Sequence, residues 1–153
     1  MTIPAPDTRT DKNLEAACTT LAGEIARTDG KASLLLAFNG AVLAGLAAAA
    51  GHPLPTVAKV FAVAAVLALA TAAVLLLLVV RPRLGGSDRA SFPYWARLDD
   101  DAIQASMGGD SRPARIRVLS TIAVRKFTQL RSAVDTTLAA LALLLLAALA
   151  ALV

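Results

Sequence analysis

Three long stretches of this chain hold almost no charge, and that leaves few ways for it to fold in water. Residues 33–51 carry Asn39 as their only strongly polar member, residues 57–80 carry Lys59 near their start, and residues 136–153 are apolar all round. Each is long enough for the roughly 20 apolar residues that a bilayer core requires. Ala, Leu and Val dominate them, and the chain of 153 residues is 57% hydrophobic with a mean hydropathy of +0.66. A soluble domain of this length rarely needs so much apolar content. The expectation is therefore an all-α membrane protein with three transmembrane helices.

The punctuation between the runs fixes the order of parts. Residues 1–11, with Pro4 and Pro6, read as a flexible tail without the apolar run of a signal peptide. From 12 to 30, Leu14, Ala17, Cys18, Leu21 and Ile25 recur at helical spacing, which predicts an amphipathic helix in need of a partner. Gly51-His-Pro-Leu-Pro is a turn so short that the first two spans must form an antiparallel hairpin. A connector over 81–112 opens with Arg81-Pro-Arg-Leu-Gly-Gly and contains Phe92-Pro-Tyr-Trp, whose Tyr94 and Trp95 suit the headgroup level. Asp99 or Asp100 is placed to cap a short helix that Gly108-Gly109 ends. A last helix should begin near Pro113, run through a basic stretch at 113–135 and continue into the third span at 136–153.

Charge sets the orientation. Residues 81–132 hold Arg81, Arg83, Arg89, Arg97, Arg112, Arg115, Arg117, Arg125, Lys126 and Arg131 against Asp88, Asp99, Asp100, Asp101 and Asp110, while the turn offers only His52 and the nearby Lys59. The positive-inside rule puts the connector and N-terminus in the cytoplasm and the C-terminus outside. The net charge of +4 thus reads as topology, with no nucleic-acid partner expected.

Little here resembles catalytic chemistry. Cys18 is the only thiol and His52 the only imidazole, so neither a disulfide nor a metal cluster is expected within the chain. Asp99-Asp-Asp reads as helix capping, since consecutive residues point different ways. No cofactor and no enzymatic activity are expected. Asn39 has two readings: ordinary packing within one subunit, or, with Gly40, Ala44 and Gly45, a small-residue face that rearranges or lines an opening between subunits. The basic face of the last helix also has two, attraction to anionic lipid or a site for an anionic ligand.

Two motifs in order carry a family resemblance. Asp29-Gly-Lys-Ala-Ser-Leu-Leu-Leu-Ala-Phe-Asn-Gly resembles the first motif of the Pycsar transmembrane effectors, and Leu119-Ser-Thr-Ile-Ala-Val-Arg-Lys-Phe-Thr-Gln-Leu-Arg-Ser-Ala resembles their second. Phe92-Pro-Tyr before an acidic short helix fits as well, so the resemblance runs from about Leu14 to the end. It implies a bacterial inner-membrane effector of antiphage defence. A partner pyrimidine nucleotide cyclase makes cyclic CMP or cyclic UMP, and the effector, expected as a homo-oligomer, impairs the membrane and causes abortive infection. Under that resemblance Lys31, Arg97, Arg125, Lys126 and Arg131 are candidate nucleotide contacts, with Asp29 orienting Lys31. Many relatives have Tyr where Phe127 stands, so no phenol hydroxyl is available here. A ligand-independent holin-like pore former and a structural or regulatory subunit of a membrane complex are the alternatives.

Overall fold

A backbone surrounded by hydrocarbon must satisfy its own hydrogen bonds, and helices do so within one segment. The computed structural model describes residues 8–82 and 91–152, and among these no strand occurs. The helices are α1 (Thr8–Ala49), α2 (Thr56–Val80), α3 (Phe92–Trp95), α4 (Asp100–Ser106) and α5 (Arg112–Ala151). Helices α1, α2 and α5 are each long and apolar enough to cross a membrane. Most of the expected tail, the connector residues 83–90 with Arg83, Asp88 and Arg89, and Val153 lie outside the described residues, as does the Phe92 side chain.

Two boundaries differ from expectation. Helix α1 is continuous over 42 residues, with no break between the amphipathic part and the span. Gly30 inside a helix costs only about 1 kcal/mol relative to Ala, which a helix this long absorbs. The same helix starts at Thr8, inside the tail expected at 1–11, and Arg112 binds both the carboxylate and the carbonyl of Asp11 in its first turn.

The other boundaries follow local chemistry. At the end of α1, His52 donates its backbone N–H to the Ala49 carbonyl at 3.1 Å, and its Nδ1 lies 3.2 Å from the same oxygen. Pro53 and Pro55 then prevent continuation. Helix α2 closes with the Arg81 N–H on the Leu77 carbonyl at 2.9 Å, and Pro82 follows. Asp99 caps α4 by accepting from the Ala102 N–H at 2.8 Å. Helix α5 runs unbroken for 40 residues, about 60 Å at 1.5 Å per residue.

Contacts divide the chain into two units. The first comprises Met1–Arg27 and Pro82–Arg125, the second Thr28–Arg81 and Lys126–Val153. Within the second, Ala32 of α1, Leu76 and Val79 of α2, and Leu130 and Ala133 of α5 form one buried layer, flanked by Leu35, Leu36, Leu75 and Val134. The α2 residues turned inward are Ala58, Ala65, Leu69, Ala72, Leu76 and Val79, and those of α5 include Leu130, Ala133, Thr137, Ala140 and Ala147. Steps of three, four and seven keep one seam facing its neighbours, and alanine along it allows the backbones to approach closely. Val60, Val63, Leu67 and Val74 of α2 point outward, as lipid-facing side chains should.

One polar pair interrupts this apolar interior. Asn39 is fully buried and donates its Nδ2 hydrogen to Thr137 Oγ1 at 3.2 Å, while the Thr137 hydroxyl bonds the Ala133 carbonyl at 2.9 Å. Among the described residues no buried side-chain nitrogen or oxygen lacks a partner. Thr137→Val should lower stability by about 0.6–2 kcal/mol, the range for hydrogen bonds between membrane helices. Unfolding in mixed micelles checks this, and Asn39→Leu combined with Thr137→Val should cost less than the two single losses added.

Candidate functional site

A lysine at a seam position needs a carboxylate beside it. Lys126 precedes Leu130, Ala133 and Thr137 along the inward face of α5, so its stem turns toward α1. Its side chain is only 13% exposed, against 35% for Asp29, with which it forms an ion pair. Thr28, beside Asp29, is buried, and the Ser33 hydroxyl donates to the Asp29 carbonyl at 3.0 Å. An ammonium so far from water depends on its counter-charge, and removing one partner strands the other.

Lys31 is exposed, whereas Asp29 is half-buried. Helix residues two apart point to different sides, so Asp29 orients Lys126 rather than Lys31. The same geometry separates the other candidates. Arg125 and Arg131 are exposed while Lys126 turns inward, so α5 does not gather these three candidate cations onto one face.

The first unit holds Tyr94, Trp95, Arg97 and Arg125. Tyr94 and Trp95 are half-buried in the short α3, and Arg97 is exposed just beyond it, its N–H on the Tyr94 carbonyl at 3.1 Å. Gly40 and Gly45 lie exposed in the second unit, and a Cβ at either would meet nothing within 4 Å. Among the described residues these glycines make no close helix contact. Asn39 is satisfied by Thr137, which favours packing within one subunit for that amide. Among the described residues no group of His, Cys, Asp or Glu is arranged to hold a metal ion.

Two groups escaped the sequence reading. Thr137 carried no local signal, since its partner lies 98 residues away. Arg112 was one cation among many, yet it forms the polar centre of the first unit. Its Nε donates to Asp110 Oδ1 at 2.8 Å and a terminal nitrogen to Oδ2 at 3.2 Å, while Asp11 takes the rest of the fork. A guanidinium held by two carboxylates and a carbonyl in this way ties the start of α1 to the start of α5.

Long apolar helices and buried cross-helix polar pairs define a multi-pass helical membrane protein. The Pycsar effector protein domain, PycTM, matches residues 13–153, and the chain belongs to this family. Searches of the curated proteins and of the solved structures find no match. Membership implies an effector of antiphage defence that a cyclic nucleotide activates.

Asp110 gives a pH test of the first unit. The side-chain hydrogen bond from Arg112, then the Arg112 backbone N–H, hold its carboxyl below the ordinary aspartate value. A lowered folded-state pKa contributes stability above the unfolded value of 3.8, lost as pH falls through the folded value. Asp110→Asn should remove that part of the acid-side slope, as read from thermal unfolding in detergent between about pH 5 and pH 2.

Proposed function

We propose that this protein is the membrane-impairing effector of a Pycsar system, switched on by cyclic CMP or cyclic UMP from a partner pyrimidine cyclase and causing abortive infection. The match over residues 13–153, on a chain with three candidate membrane helices, supports this reading most directly. The protein then acts by changing the bacterial inner membrane and catalyses nothing itself. Its N-terminus and the basic connector face the cytoplasm, where the nucleotide is made, and its C-terminus faces outward.

Lys126 is the cation we assign to the nucleotide phosphate. A cyclic nucleotide carries one negative charge, the same charge that Asp29 offers. Exchange of Asp29 for phosphate leaves a carboxylate uncompensated beside the buried Thr28 and Ala32. That penalty loosens the pairing of α1 with α5 in the second unit. Lys31, exposed in the same unit, supplies a further contact to ligand or to anionic headgroups. The ligand shifts the equilibrium by its differential affinity for the loosened arrangement.

Purified full-length protein in dye-loaded vesicles of bacterial lipid should release dye on addition of cyclic CMP or cyclic UMP, and remain tight with cyclic AMP or no nucleotide. Leakage independent of nucleotide would instead identify a holin-like pore former, and no leakage with any nucleotide would remove the effector reading.

A further inference from the structure

The outward face of α5 in the second unit carries a charge pattern that lipid alone does not suit. Arg131, Asp135, Leu138, Ala142, Leu145 and Leu149 follow in steps of four and three, and all are exposed. Steps alternating in this way keep one stripe of a helix facing one neighbour along its length. Leu138, Leu145 and Leu149 are more than half exposed.

Asp135 is the anomaly in the stripe. On α5 it falls between Ala133, which packs in the layer with Ala32 and Val79, and Thr137, which bonds Asn39 inside the apolar stretch of α1. Its carboxylate therefore leaves the bundle at the depth where the spans have begun. Ionisable residues at such depths generally face a bundle interior or another protein group. Neither Asp135 nor Arg131 forms an ion pair among the described residues. The two stand four residues apart on one helix, with the cation toward the N-terminus, which is the weaker order for an intrahelical pair.

We infer that this face of α5 is the contact between copies of the chain, with Arg131 of one copy paired to Asp135 of the next and the leucines closing the seam around Ala142. Every copy inserts in the same direction, so neighbouring α5 helices run parallel. A cation and an anion about 6 Å apart along the axis then make the stripe self-complementary in charge. The small Ala142 between Leu138 and Leu145 permits close approach. This contact stands on membrane insertion alone and does not depend on the nucleotide.

The test uses the full-length chain in membranes with Cys18→Ser and Leu138→Cys, cross-linked by copper phenanthroline. The expected product is a covalent dimer, with little from Leu67→Cys on the outward face of α2. Arg131→Glu and Asp135→Arg should each cut the Leu138→Cys product by about tenfold or more, the effect of like charges across an interface. Co-expression of the two reversed chains, carrying different tags, should restore it between unlike chains, which an intrachain pair would not do. Arg131→Gln, which only removes the charge, reports the same loss where a reversed chain inserts poorly. Equal cross-linking in every charge variant, or none in the parent, assigns the face to lipid and overturns the inference.

Discussion

Lys126 occupies a position on α5 where the helical period calls for an apolar residue, and the surrounding structure answers with Asp29. A charge with 13% of its side chain exposed is tolerated only with its partner in place. That requirement draws α1 and α5 together at residues 97 apart in sequence, before the apolar stretch of either helix begins. Asn39 and Thr137 repeat the arrangement deeper in the same unit, with an amide and a hydroxyl in place of charges. Between the two polar pairs, Ala32 and Ala133 meet Val79 of α2. The second unit is thus specified by two cross-helix polar contacts and a small-residue layer.

This arrangement suits a protein that must change state. Apolar packing between membrane helices has no hydrophobic drive, since lipid tails are as apolar as leucine. Polar pairs therefore carry much of the specificity of the helix contacts, and a soluble anion has access to only one of them. Lys126 retains some exposure, whereas Asn39 has none. The difference separates a contact that a ligand is able to reach from one that holds the fold. Arg112 belongs to the second kind, being paired with both Asp110 and Asp11.

The sequence made the architecture legible because hydropathy, proline, glycine and charge act locally. Gly51 to Pro55 marked the hairpin, the acidic run from Asp99 marked the start of α4 with Asp99 or Asp100 as its cap, and the apolar run after Asp135 marked the last span. The site was less legible because its partners are distant. The motif at Asp29 and the motif at Lys126 were both visible, but their pairing depends on which face of each helix turns inward. The motif suggested Asp29 as the residue that orients Lys31, yet a displacement of two residues puts Lys31 on the exposed side. The uninterrupted α1 was also hidden, because Gly30 and the change from amphipathic to apolar pattern suggested a joint that the backbone does not make.

The central claim is that nucleotide and Asp29 compete for Lys126. Calorimetric titration of cyclic CMP and cyclic UMP into full-length protein in nanodiscs tests it most directly. The account predicts that Asp29→Asn binds the activating nucleotide more tightly than the parent and that Lys126→Met loses binding. Binding that is unchanged by Lys126→Met, or weakened by Asp29→Asn, would contradict it.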